Sequence, residues 1–107
     1  MSGSGIKDLS SLDRVIHEPA RLMIMTILYA VKEADFVYLQ RECGLTQGNV
    51  SSHLSKLEEA GYLVISKTFK GKYPLTICSL TRAGRQAFEA YQEKMRFVTD
   101  KPSGNSR

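Results

Sequence analysis

Residues 45–61 read Leu45-Thr46-Gln47-Gly48-Asn49-Val50-Ser51-Ser52-His53-Leu54-Ser55-Lys56-Leu57-Glu58-Glu59-Ala60-Gly61, and the periodicity of this stretch decides the fold. With Val50 at the origin and an advance of about 100° per residue, Leu54 falls near 40°, Leu57 near 340° and Gly61 near 20°. One narrow apolar seam therefore runs along a short helix. The opposite side carries Gly48, Asn49, Ser52, Ser55 and Lys56, with no bulky group and one full charge. A small, hydrogen-bonding face of this kind suits close approach to a partner that has its own donors and acceptors, such as the floor of a DNA major groove.

Thr46 is placed to cap the first turn with its hydroxyl. Gly61, just past the last apolar position, supplies the left-handed residue that closes a helix at low cost. Upstream, Phe36-Val37-Tyr38-Leu39-Gln40-Arg41-Glu42-Cys43-Gly44 predicts a shorter helix with Asp35 near its start. Gly44 to Thr46 separates the two, and a pair of helices joined by so short a Gly-containing turn is a helix-turn-helix, whose second helix enters the groove.

A chain of 107 residues with 42% hydrophobic content is expected to form one domain with a modest core. No apolar run approaches the ~18 residues of a membrane span and no signal pattern opens the chain, so a cytoplasmic protein without a membrane partner is expected. Cys43 and Cys78 form no CxxC pattern and read as buried, reduced thiols, with a thiol sensor at Cys43 as the alternative. No spacing of ligands predicts a metal or other cofactor, and no residue names a small-molecule effector. The net charge is +4. Between Ala60 and Phe88 lie five basic residues (Lys67, Lys70, Lys72, Arg82, Arg85) and no acid, which leaves 10 basic against 11 acidic residues elsewhere. The surplus positive charge sits directly after the polar helix, as expected of a binder of phosphate backbones.

Residues 1–9 and 99–107 are expected to be flexible ends, and 10–98 the folded domain. Ser10–His17 reads as an opening helix. Pro19 suits the first turn of the next one, which runs to about Lys32 and is apolar nearly all round, with Met23 and Met25 as core filler. After Gly61 the period becomes extended: Tyr62 to Phe69 and Leu75 to Leu80 predict two strands joined at Lys70-Gly71-Lys72, with Tyr73-Pro74 at an edge or strand start. Thr81 caps a last helix to about Phe97. Its stripe of Ala87, Tyr91, Met95 and Val98, together with Leu12 and Ile16 near the N-terminus, is the expected dimer seam, with packing back on the same chain as the alternative for the stripe.

The order is mainly α with a small β-hairpin, a winged helix-turn-helix. From about Leu12 to Met95 the chain resembles the small winged-helix transcriptional regulators of the MarR and ArsR type, and in particular the compact archaeal and bacterial winged-helix DNA-binding domain family. The matching words are Gly44-Leu45-Thr46-Gln47-Gly48-Asn49-Val50-Ser51-Ser52-His53-Leu54, Leu57-Glu58-Glu59-Ala60-Gly61-Tyr62, Phe69-Lys70-Gly71-Lys72 at the wing, and Leu80-Thr81-Arg82-Ala83-Gly84-Arg85-Gln86-Ala87-Phe88. The resemblance implies homodimers packed through terminal helices, each reading a roughly palindromic operator. The metal-sensing ArsR branch carries a cysteine-rich motif; here only Cys43 stands in the aligned stretch, and His17 and His53 do not fill the gap. His53 reads as a hydrogen-bonded packing histidine.

On this reading Thr46, Gln47, Gly48, Asn49, Ser51, Ser52, Ser55 and Lys56 form the DNA-reading helix, and Lys67, Lys70, Gly71 and Lys72 the wing. Repression through a homodimer on double-stranded DNA is the expected function. The rival is a winged helix that docks proteins without specific DNA binding. Single-stranded nucleic acid fits less well, since the only candidate stacking platform is Phe69 with Tyr73. An enzyme is not expected: Glu58 and Glu59 are adjacent and diverge on a helix, and no phosphate-cradling loop occurs.

Overall fold

The computed structural model describes residues 6–100. Four α-helices and three strands follow the order α1 (Pro19–Ala30), β1 (Ala34–Asp35), α2 (Phe36–Cys43), α3 (Gln47–Glu59), β2 (Leu63–Lys70), β3 (Tyr73–Leu80) and α4 (Arg82–Asp100), preceded by a 3-10 helix at Ile6–Ser11. The chain is mainly α with a small antiparallel sheet, a winged helix, as the sequence predicts.

The helix ends follow local chemistry. Glu18 accepts a hydrogen bond from the Arg21 N–H at 2.8 Å, with Pro19 in the first turn of α1. Asp35 takes the Tyr38 N–H at 2.8 Å and Thr46 the Asn49 N–H at 3.1 Å, capping α2 and α3. Both helices close on a left-handed glycine, Gly44 (φ 65) and Gly61 (φ 82). In each case the next residue donates back across the last turn, Leu45 to the Gln40 carbonyl and Tyr62 to the Leu57 carbonyl.

The sheet order is β1-β3-β2, so β3 is central where β1 reaches it, at Ile77 and Cys78. The short β1 carries no periodic signal in the sequence. Strands β2 and β3 pair from Leu63↔Leu80 out to Lys70↔Tyr73, where Gly71 (φ 63) turns the chain. Only the base of this hairpin touches the core. Leu63 and Cys78 are buried there, while the outer residues of β2 are exposed. The core joins Ile24, Met25 and Leu28 of α1, Leu39 of α2, Val50, Leu54 and Leu57 of α3, and Phe88 and Tyr91 of α4.

Four expectations need correction. The opening segment is not an α-helix over Ser10–His17. The Asp13 carboxylate takes the N–H groups of Val15 (2.8 Å) and Ile16 (3.2 Å), a local turn that competes with helical bonding. A 3-10 helix begins at Ile6 and α4 continues to Asp100, so residues 6–9 and 99–100 are not flexible ends; the rest of the expected ends, 1–5 and 101–107, lies outside the described residues. Helix α1 is not apolar-packed all round, since Met25 is buried but Met23 is exposed. Finally, Ile16 (0% exposed) and Tyr91 (5%) are not free for a dimer seam, because they pack inside the protomer's own core. Leu12, Ala87 and Met95 lie half-buried against that core, and Val98 is 49% exposed.

Candidate nucleic-acid interface

The apolar seam of α3 is fully consumed: Val50, Leu54 and Leu57 are buried against α1, α2 and the sheet. The rest of its surface stands bare. Thr46, Gln47, Gly48, Asn49, Ser51, Ser52, Ser55 and Lys56 are all exposed. Thr46 is the cap as well as a surface residue, so its oxygen is engaged by the Asn49 N–H. At Gly48 a Cβ would meet no atom within 4 Å, so the backbone is open to approach from outside.

The underside of α3 is tied to α1 by contacts that the sequence pattern does not announce. The Arg21 guanidinium donates to His53 Nδ1 at 3.1 Å and, through Nε, to the Val15 carbonyl. Glu18 lies 3.8 Å from the same imidazole nitrogen. His53 is thus the hydrogen-bonded packing histidine expected, with Arg21 as a positioning residue 32 positions away. At the far end of α3, the Thr81 hydroxyl donates to the Gly61 carbonyl at 2.6 Å and accepts from the Gly84 N–H at 2.9 Å. The Tyr62 hydroxyl donates to Asp13. Burial first, then that bond to a carboxylate, pushes the Tyr62 phenol up to about 12.

Beside α3 opens a groove of about 400 Å³ between the helix and the wing. Gln47 and Ser51 form one wall, Lys67 and Thr76 the other, and Phe36 and Val37 the end nearest α2. The sequence reading missed the part of α2, because nothing in the spacing of Phe36 and Val37 says they face the hairpin. Lys67, Lys70, Gly71 and Lys72 are exposed along the wing and its tip. Among the described residues none of these three lysines forms an ion pair. Arg85 departs from the basic cluster, since its guanidinium lies 4.7 Å over the Tyr29 ring on α1. Of this basic run, Lys67 lines the groove beside α3, and Lys70 and Lys72 lie on the same hairpin.

Both thiols are free and buried, and burial pushes both up: Cys43 in the first instance through desolvation and then Glu42, Cys78 to about 11 through desolvation, then Glu58 and Asp35. Among the described residues no group of three His, Cys, Asp or Glu side chains converges as a metal site, and no helix is long and apolar enough to cross a membrane.

The chain has counterparts among known proteins. The family model described as winged helix DNA-binding domain matches residues 20–98. An uncharacterized protein of Methanocaldococcus jannaschii is 37% identical over 79 residues, 73% of this chain and 85% of that protein. A transcriptional regulator homologue from Pyrococcus horikoshii superposes with a TM-score of 0.82 at 27% identity, over 89% of this chain and 96% of that one. A MarR-family transcriptional regulator from Enterococcus faecalis shares the fold at a TM-score of 0.73 and 18% identity, over 94% of this chain and 90% of its own. The chain accordingly belongs to the winged helix DNA-binding domain family.

Proposed function

We propose that the chain is a cytoplasmic repressor that binds a palindromic operator as a homodimer. Helix α3 lies in the major groove, and the folded domain from about residue 10 to 98 is the DNA-binding unit. The observation that carries this reading is the division of α3 into a buried seam and a wholly exposed small, polar side. Gln47 and Asn49 meet base edges there, adenine being the favoured bidentate partner of an amide. Ser51, Ser52 and Ser55 are short enough to bond bases or phosphates, and Gly48 lets the backbone come close. Lys56, Lys67, Lys70 and Lys72 neutralise phosphates, with the Gly71 turn carrying the wing tip over the adjacent minor groove.

Pairing is supported by shape. The chain extends 58 × 27 × 21 Å with a radius of gyration of 16.2 Å, against about 13 Å for a compact chain of this size. The 3-10 helix contacts α4, and on these two elements Ile6 is 73% and Val98 49% exposed. With half-buried Leu12, Ala87 and Met95, they offer an apolar edge to a second copy. The two α3 helices then sit about 34–36 Å apart, one duplex turn. Occupying a promoter in this way excludes polymerase.

Selection of bound sequences from a random duplex pool tests the reading. The expected outcome is an inverted repeat with half-sites one turn apart. Asn49→Ala then relaxes one base position at a cost of about 1–3 kcal/mol, and Lys70→Ala with Lys72→Ala lowers the salt slope by about 2. A single, unrepeated half-site would remove the homodimer; binding by all these variants equal to the parent's would remove the placement of α3 and the wing.

A further inference from the structure

The wing ends in aromatic side chains that do nothing for the fold. Phe69 is 70% exposed and Tyr73 77%, at the far end of a hairpin whose base alone reaches the core. The strand rise of about 3.3 Å per residue puts Phe69 roughly 20 Å beyond Leu63, the buried residue on the same side of β2. The register fixes what surrounds it. Gly71 and Lys72 are a two-residue connection, with Gly71 at φ 63 and no left-handed residue after it. Lys70–Tyr73 is thus the hydrogen-bonded pair closing the turn, and Phe69–Pro74 the adjacent non-hydrogen-bonded pair, whose side chains stand closest together. Pro74 costs no ladder bond there, since its nitrogen faces away from β2 at a point β1 does not reach. By the alternation of a strand, Phe69 and Pro74 share a face with Lys67, which lines the groove beside α3.

We propose that Phe69, backed by Pro74, is an intercalating wedge: it enters the minor groove of duplex DNA next to the half-site, partly unstacks one base step and bends the operator. The inference rests on the placement of α3 and the wing proposed above. Its argument is charge combined with shape. Lys67, Lys70 and Lys72 surround the aromatic tip, and no acidic residue occurs from Ala60 to Phe88, so the apolar side chain is presented inside a field that recruits polyanions. The minor groove is about 6 Å wide, and a two-stranded tip fits only if the groove is opened, which an apolar side chain between base steps achieves. Pyrimidine–purine steps unstack at least cost, so the wedge adds sequence preference at a position where no base edge is read.

The test uses the full chain and an end-labelled duplex recovered by the pool selection, with bending read by energy transfer between the ends. Three variants are compared with the parent: Phe69→Ala, Phe69→Leu, and Lys70→Ala with Lys72→Ala. Phe69 is exposed, so thermal unfolding of its variants should match the parent. Phe69→Ala is expected to lose affinity about tenfold, the loss one stacked aromatic carries, to straighten the duplex, and to lose preference for TA or CA at one step while keeping the salt slope. Phe69→Leu should restore the bend. If Phe69→Ala bends and discriminates as the parent does while the lysine variant loses slope, the wedge is overturned and the wing placement stands. If the lysine variant also keeps its slope, the wing does not touch DNA and both readings fall together.

Discussion

Gly48 and Gly84 both sit inside helices, yet the same substitution should act on them in opposite ways. At Gly84 in the first turn of α4, an added Cβ would lie 2.0 Å from the Tyr62 carbonyl oxygen and 2.8 Å and 2.9 Å from its carbon and Cα. That oxygen accepts the Thr81 N–H at 3.0 Å. Backbone cannot rotate aside as a side chain can, so Gly84→Ala must push α4 off the turn that ends α3 and lose this bond. Overpacking costs about 1–3 kcal/mol and a stranded hydrogen-bonding group about 1 more. The helical preference of Ala returns about 1 kcal/mol. The net is roughly 2 kcal/mol of destabilisation, or roughly 8–16 °C in melting temperature for a domain of this size. At Gly48 the space is open, so Gly48→Ala should leave the fold intact or stabilise it by up to about 1 kcal/mol. The same methyl stands on the surface assigned to the major groove, so affinity for the selected duplex should fall by about tenfold, ~1.4 kcal/mol. Thermal unfolding and fluorescence anisotropy on both variants separate the effects. A Gly48→Ala protein that melts no lower and binds no worse than the parent would refute the placement of α3, and a Gly84→Ala protein that melts with the parent would refute the packing of α4 on Tyr62.

Two further outcomes follow from the buried groups. Tyr62→Phe removes the partner of one Asp13 oxygen while the other keeps Val15 and Ile16, so the expected cost is about 1–2 kcal/mol in urea unfolding at neutral pH. The phenol's folded pKa, about 12, lies above its unfolded value near 10; its stabilisation is therefore complete below pH ~10 and is lost as pH rises toward 12, and in tyrosinate absorbance the variant should lack one of the tyrosines that titrate late in the parent. Cys43 and Cys78, both buried with thiols pushed up, should resist a thiol reagent at neutral pH until the chain unfolds. Modification of the native protein at the rate of a free cysteine would overturn that expectation and restore the sensor reading of Cys43.

Helix α3 was legible because its two faces differ so sharply in size and polarity that periodicity alone assigns them: Val50, Leu54 and Leu57 in, Asn49, Ser52 and Ser55 out. Caps and stops at Asp35, Thr46, Gly44 and Gly61 were legible for the same local reason. The opening segment was not, because Asp13 uses its side chain to satisfy N–H groups that a helical reading assigns to backbone. Nor was the fate of Tyr91. Its place in the α4 stripe is the same whether it packs inward or against a second copy, and the Tyr91 hydroxyl finds His17 Nδ1 at 2.8 Å from a residue 74 positions away. Long-range partners of this kind, like Arg21 with His53, leave no trace in spacing along the chain.

The contrast between α3 and the wing bears on how the domain recognises DNA. Every part of α3 except one side is fastened: its start by Thr46, its underside by Arg21 on His53, its end by the Leu57 carbonyl and the Thr81 bridge to Gly61. On the proposed placement, a surface held at so many points would enter the groove with its donors already oriented, so little ordering entropy would oppose binding. The wing is the reverse. Beyond Ser66 and Ile77, the last pair that β1 reaches, it lies outside the core and is held by the β2–β3 ladder and the turn at Gly71. On the proposed placement the work divides between base edges and backbone shape: α3 would select sequence by direct contact, and the hairpin would follow a phosphate path that varies with sequence and bending. Stiffening the reader further should change little, whereas shortening the wing should cost affinity on every duplex.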